Sequence, residues 1–131
     1  MKLSTKGRYG LMAMYQLAAH YGEGPISLNS IAEMEGLSEA YLEQLFSLLK
    51  KNNLIKSVRG AQGGYLLTKS PNDIKIREII QALEGEMMLS CCHEPRETPC
   101  QKESYCATKE ILEKIQIQME GILDSMTLAD M

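Results

Sequence analysis

The chain contains four cysteines, Cys91, Cys92, Cys100 and Cys106, and all fall within sixteen consecutive residues. Thiols packed that closely answer to a metal or to redox chemistry. The window reads Cys92-x7-Cys100-x5-Cys106, with Cys91 beside the first ligand position. A zinc finger or ribbon instead presents two close ligand pairs separated by a longer loop. Thiolates that wrap a multi-atom cluster need an irregular loop, and Glu94-Pro95-Arg96-Glu97-Thr98-Pro99 supplies one. Spacing alone therefore favours an iron-sulfur site, with zinc or a bare thiol switch as the alternatives.

At 131 residues the chain can bury an adequate core without disulfide staples. No basic-then-apolar leader opens it, and no apolar run approaches the ~20 residues needed to cross a bilayer. The expectation is a cytoplasmic protein with no membrane partner, whose cysteines sit in a reducing medium. A net charge of -3 argues mildly against nucleic acid. The distribution of that charge points the other way. Residues 1–80 carry ten Lys or Arg against seven Asp or Glu, and residues 81–131 carry four against ten, so the basic front and acidic back suggest two jobs. No Ser-His-Asp set, phosphate loop or zinc-protease pattern occurs, and His20 and His93 lie far apart, so no enzyme is expected.

The elements that must position these residues follow from periodicity. Tyr9, Met12, Ala13, Leu17 and Tyr21 recur three or four apart and predict a helix over 6–21, stopped by Gly22 and Gly24-Pro25. A second helix over 28–35 has Ser27 to cap it, Leu28, Ile31 and Ala32 facing inward, and Gly36 as a left-handed C-cap. Ser38 caps a third, over 39–52, with Leu42, Leu45, Phe46 and Leu49 on one apolar face. Two helices joined by a short Gly-containing turn form a helix-turn-helix. Residues 54–58 and 65–67 are then rich in strand formers, and the glycine-rich connection 59–64 makes them a hairpin, the wing of a winged helix. Ser70-Pro71-Asn72-Asp73 breaks the chain before a fourth helix over 76–84, with Ile76, Ile79, Ile80 and Leu83 buried and Gly85 closing it. Beyond the cysteines a long helix, from about Lys102 to Met126, carries the stripe Ile111, Leu112, Ile115, Met119, Ile122, Leu123 and Met126. A second copy of the chain could cover that stripe, which makes the helix a dimerisation element; the alternative is that it folds back on the N-terminal domain. The fold class is mainly α with a small β-hairpin wing. Three regions are expected: a winged helix-turn-helix domain over 1–85, a cysteine-rich cluster-binding loop over 86–106, and a dimerisation helix with its tail over 107–131.

On this reading the third helix enters the major groove and presents Ser38, Glu39, Ala40, Tyr41, Glu43 and Gln44. A carboxylate at Glu43 is penalised beside phosphate but can accept from a cytosine amino group, and Gln44 can pair with adenine. Both also suit plain solvated helix surface. Arg59, next to Gly60 at the wing tip, suits a narrow, electronegative minor groove. Lys56, Lys50 and Lys51 would anchor phosphates, together with Lys2, Lys6 and Arg8. Lys50 and Lys51 also complement the C-terminal dipole of their helix.

Several runs carry a family resemblance: Lys6-Gly7-Arg8-Tyr9-Gly10, Tyr41-Leu42-Glu43-Gln44-Leu45-Phe46, the wing from Ser57 to Leu67, the cysteine window, and Thr127-Leu128-Ala129. Over nearly its whole length the chain resembles the IscR family of iron-sulfur winged-helix transcription regulators, the Rrf-type group. The resemblance implies a homodimer on palindromic promoter DNA, with long C-terminal helices crossing at the interface and clusters in loops beside them. It matches Cys92, Cys100 and Cys106 to the cluster ligands, Glu43 to the residue that tunes DNA selectivity with cluster state, and Arg59 to the minor-groove arginine. A cluster of the two-iron, 2Fe-2S kind is favoured over 4Fe-4S, and iron-sulfur assembly proteins become candidate partners. Two departures stand out. Lys109 occupies the position of the family's ligating histidine, and its ammonium has no lone pair to donate. Arg8 stands where the related nitric-oxide sensors carry an aspartate. The fourth ligand is then open: Cys91 and His93 are nearest, Glu97 and Glu103 are weaker candidates, and the other subunit is a further source.

The expected function is a dimeric transcription regulator, a repressor in the simplest case, whose promoter binding responds to an iron-sulfur cluster and so to iron-sulfur status, oxygen or nitric oxide. The alternative within DNA binding is a cluster-free thiol or metabolite sensor. An alternative of another class is an iron-sulfur carrier or electron-transfer protein that uses the winged helix for protein contacts.

Overall fold

Leu42, Leu45, Phe46 and Leu49 recur three and four residues apart on one helix, and all four are buried. The computed structural model describes residues 3–89, 101 and 105–131. Cys91, Cys92, His93, Glu97, Cys100 and Glu103, and Lys2 at the start, lie outside the described residues. The elements run α1 (Thr5–Ala19), α2 (Leu28–Glu35), α3 (Glu39–Lys51), β1 (Ile55–Val58), β2 (Gly64–Leu67), α4 (Ile76–Glu84) and α5 (Lys109–Ser125). The apolar faces of α1 to α4 and the base of the hairpin enclose one core around Phe46, Met14, Ile31 and Ile79.

Local signals explain most boundaries. The Ser27 and Ser38 hydroxyls accept from the Ser30 and Tyr41 amides, at 3.1 and 3.2 Å, and so cap α2 and α3. Gly36 ends α2 in the left-handed conformation, φ 65°. Asn53 does the same service beyond α3 at φ 60°, so that the Asn53 and Leu54 amides return to the Lys50 and Leu49 carbonyls. On α4 the four predicted residues, Ile76, Ile79, Ile80 and Leu83, are the buried ones.

The stripe expected on the first helix is corrected by the structure. Met12 and Tyr21 are exposed, and the helix ends at Ala19; its buried side is Gly7, Gly10, Ala13, Met14 and Leu17. Apolar periodicity overlooks the glycines. A β-carbon at Gly10 would run into the Leu83 side chain, so α1 and α4 meet almost backbone to side chain along a glycine face.

The helix expected from about Lys102 begins at Lys109, because residues 105–108 form turns and the first helical bond runs from the Leu112 amide to the Thr108 carbonyl, 3.0 Å. Its apolar stripe divides. Leu123 packs against the core, while Ile111, Ile115 and Ile122 stay exposed, Ile122 at 60%. After α5 the chain returns to the domain: the Ile76 amide donates to the Met126 carbonyl at 3.0 Å and the Leu128 amide to the Ile74 carbonyl at 2.8 Å. Leu128 is 1% exposed within the core. No helix among the described residues is long and apolar enough to cross a membrane.

Leu128→Ala should therefore destabilise the protein by about 2–5 kcal/mol, the range for deleting a buried leucine side chain. Urea denaturation reads it as a lowered midpoint, and a change under about 0.5 kcal/mol would mean that the tail is only appended to the domain.

Candidate nucleic-acid interface

The buried side of α3 leaves a polar side outward. Ser38, Glu39, Ala40, Glu43, Gln44 and Ser47 are exposed, and Tyr41 is half-buried. Their duties differ. The Ser38 hydroxyl is committed to the cap, and Glu39 accepts from the Asn29 side-chain amide, tying the start of α3 to α2. The Tyr41 ring stands edge-on to Tyr9, centroids 6.2 Å apart, and packs against the core, so its bulk locks α3 to α1. Ala40, Glu43 and Gln44 remain as the outward face, and Lys6 of α1 shares a shallow cleft with all three. A lysine of α1 thus borders the outward face of α3, the helix proposed for the major groove.

The wing is an antiparallel pair in which Ile55, Lys56, Ser57 and Val58 face Leu67, Leu66, Tyr65 and Gly64. Lys56, Arg59 and Gly60 are exposed. Gly60, at φ 120°, turns the chain, and the Gly63 amide closes the turn on the Gly60 carbonyl at 3.0 Å, so Ala61 and Gln62 form the tip and Arg59, expected there from the sequence, sits just before the turn at the end of β1. Two attachments fix the wing. Lys50 at the end of α3 donates to the Ser57 hydroxyl at 2.9 Å. Ile26 pairs with Tyr65 through amide-to-carbonyl bonds of 3.1 and 2.8 Å, so a residue just ahead of α2 adds a single rung on the other edge of β2, as a one-residue third strand. The Tyr65 ring then meets Phe46 edge-on, centroids 4.7 Å apart. Sequence reasoning missed the Ile26 rung and the Lys50–Ser57 bond. Gly64 was the signal for the first, since a β-carbon there would collide with the Ile26 carbonyl.

Of the cysteine window, only Cys106 falls among the described residues. It is half-buried, two residues before the Thr108 N-cap of α5, with its Sγ 3.2 Å from the Thr108 hydroxyl. A thiolate at the amino end of a helix occupies the favourable end of the helix dipole. Among the described residues no group of three or more His, Cys, Asp or Glu side chains could hold a metal ion, so any ligand set depends on the residues beyond them.

A helix-turn-helix followed by a braced two-stranded wing, with polar side chains outward on the second helix and an exposed arginine at the end of the wing's first strand, defines a winged-helix DNA-binding protein. The family profile described as Rrf2, iron-dependent transcriptional regulator, matches residues 3–131, and the chain belongs to that family. It is 47% identical over all 131 residues to the transcriptional regulator CymR of Bacillus subtilis, covering 89% of that protein. To IscR of Serratia proteamaculans it is 40% identical, covering 79%. Among solved structures, IscR of T. potens is 51% identical with a TM-score of 0.79, over 99% of this chain and 85% of that one. CymR of B. subtilis, titled the global cysteine regulator, is 46% identical with a TM-score of 0.82, over 99% and 95%.

Because Gly64 touches backbone that cannot move without opening the Ile26 rung, Gly64→Ala should shift the wing and weaken duplex binding about tenfold or more, with helix content kept. Fluorescence anisotropy on a labelled duplex, beside far-UV circular dichroism, checks both halves of that expectation.

Proposed function

We propose that this protein is a homodimeric promoter-binding regulator, a repressor in the simplest case, whose DNA affinity is set by the state of its cysteine window. The observation that carries the reading is the braced pair of α3 and wing, joined by the Phe46–Tyr65 ring contact, the Ile26–Tyr65 bridge and the Lys50–Ser57 bond, which sets a polar helix beside an exposed arginine on the wing. Glu43 and Gln44 would read base edges, Arg59 a narrow minor groove, and Lys56 and Lys6 the phosphates. The exposed Ile111, Ile115 and Ile122 of α5 suit a second copy of the chain.

Cys92, Cys100 and Cys106 would hold an iron-sulfur cluster, with Cys91 or His93 as the fourth ligand; the 2Fe-2S kind is favoured. The half-buried Cys106 thiol at the start of α5 fits such a donor set, and the matching family is described as iron-dependent. Bound there, a cluster supplies sensitivity to oxygen, nitric oxide and iron supply. The chain's part is to favour one arrangement of window and dimer helices over another. A coupling of one or two kcal/mol then changes promoter affinity ~5- to 30-fold.

A second reading, a cluster-free thiol switch, is supported by the 47% identity to CymR, whose Staphylococcus aureus counterpart has a structure titled as an oxidized form. One experiment separates the two. Protein reconstituted anaerobically with iron and sulfide, then assayed on promoter DNA, should be coloured and should lose its altered affinity when the cluster is stripped. Iron-free protein whose binding is switched by oxidant and restored by thiol reductant would select the second reading. For the DNA face, Arg59→Ala should cost about 1–3 kcal/mol of binding and reduce the salt dependence by about one ion. An unchanged affinity would remove Arg59 from the interface.

A further inference from the structure

Gln116 is the one buried polar side chain among the described residues, 6% exposed on the inner side of α5. It makes three hydrogen bonds. Its Nε2 donates to the Met87 carbonyl at 2.5 Å and to the Glu120 carboxylate at 3.0 Å, and its Oε1 accepts from the Leu89 amide at 3.1 Å. A primary amide is the side chain that can meet a backbone carbonyl and a backbone amide at once, because it offers a donor and an acceptor side by side. Met87 and Leu89 are the last described residues before the cysteines, in the segment that leads from α4 toward them. Glu120 in turn lies 3.5 Å from Arg77 of α4, whose guanidinium also reaches Asp124 at 2.8 Å.

The two ends of the cysteine window are thus tied to one helix. The segment leading to its entry is held at Gln116, and its exit, Cys106, lies just before the start of the same α5 at Lys109, about 10 Å from Gln116 at 1.5 Å per residue. Fixing both ends of a segment lowers the entropic cost of gathering groups within it. The Glu120–Arg77 contact joins that anchor to α4, and α4 packs in the DNA-binding core.

Building on the cysteine-window reading above, we propose that Gln116 is a positioning residue: it holds the window's entry on α5 and, through Glu120 and Arg77, couples the state of the window to the DNA-binding domain. Gln116 touches no DNA and need touch no ligand. Its role is to make a change at the cysteines felt at α4.

The test compares full-length wild type, Gln116→Leu and Gln116→Glu. Gln116→Leu keeps bulk and loses all three bonds; Gln116→Glu keeps an acceptor for the Leu89 amide but sets a second carboxylate against Glu120. For each protein, promoter Kd is measured metal-free and reduced, reconstituted with iron and sulfide, and metal-free after diamide oxidation, and hydrogen exchange is followed at the Leu89 amide. The expected result is a wild-type ratio of ~5 to 30 between window states. In Gln116→Leu that ratio should fall below about 2, with the metal-free Kd within about twofold of wild type, and Leu89 should exchange about tenfold faster. Gln116→Glu should lie between. A wild-type response retained in both variants, with Leu89 still protected, overturns the positioning role and leaves window sensing standing. A wild type that responds to no window state overturns sensing and the coupling with it. If Gln116→Leu is too unstable to assay, Gln116→Glu carries the same comparison.

Discussion

The close approach of α1 to α4 is the constraint on which the other placements depend. Leu83 lies where a side chain at Gly10 would have to go, and the carboxylate of Glu84 lies 2.9 Å from where a β-carbon at Gly7 would sit. With glycine at both places, Glu84 reaches the start of α1, accepting from the Gly7 amide at 3.0 Å and from the Ser4 hydroxyl. No acidic residue of α1's own first turn offers that service, so α4 supplies the anion that the free amides of a helix start attract. The same contact sets Lys6 beside the outward face of α3 and lets Tyr9 meet Tyr41. A bulkier residue at Gly10 would push apart α1 and α4, the two helices against which α3 packs.

How much of this is legible in the sequence depends on whether the deciding contact is local. Ser27, Ser38 and Gly36 act on their own helix ends, so each is readable from its immediate neighbours. The stripes of α3 and α4 face one core, and simple periodicity finds them. The face of α1 escapes the same pattern because its partner accepts it through glycines, which no hydrophobic period marks. The Ile26 rung and the return of Leu128 into the core join residues far apart in the chain, so nothing beside them announces the contact. Of the residues proposed for the interface, Ala40, Glu43, Gln44, Lys56, Arg59 and Gly60 are exposed, whereas Ser38 and Tyr41 also serve the helix that presents them. The ligand set rests on residues beyond those described, apart from Cys106.

The long helix has two unlike sides. One side, with Leu123 and the buried Gln116, belongs to the domain; the other, with Ile111, Ile115 and Ile122, faces outward. A purely apolar inner side would pack as well but could not grip a peptide backbone, and a purely polar outer side would give a second copy nothing to bury. Folding back and pairing are therefore compatible descriptions of opposite faces of this helix.

The hydrogen bond from Lys50 to Ser57 has a consequence for how such a regulator can be controlled. With the wing fastened to the end of α3 and again to Ile26, each subunit of the proposed dimer would be a single template whose distance between groove-reading parts is set at folding. A template of that kind keeps its α3 and wing in the same relation in every state. What a signal can alter is phase: whether two such templates lie one helical turn of DNA apart, roughly 34–36 Å, and so engage together or only one at a time. Control of the proposed dimer would then be a question of rotation between subunits, which decides whether an operator is held by two hands or by one.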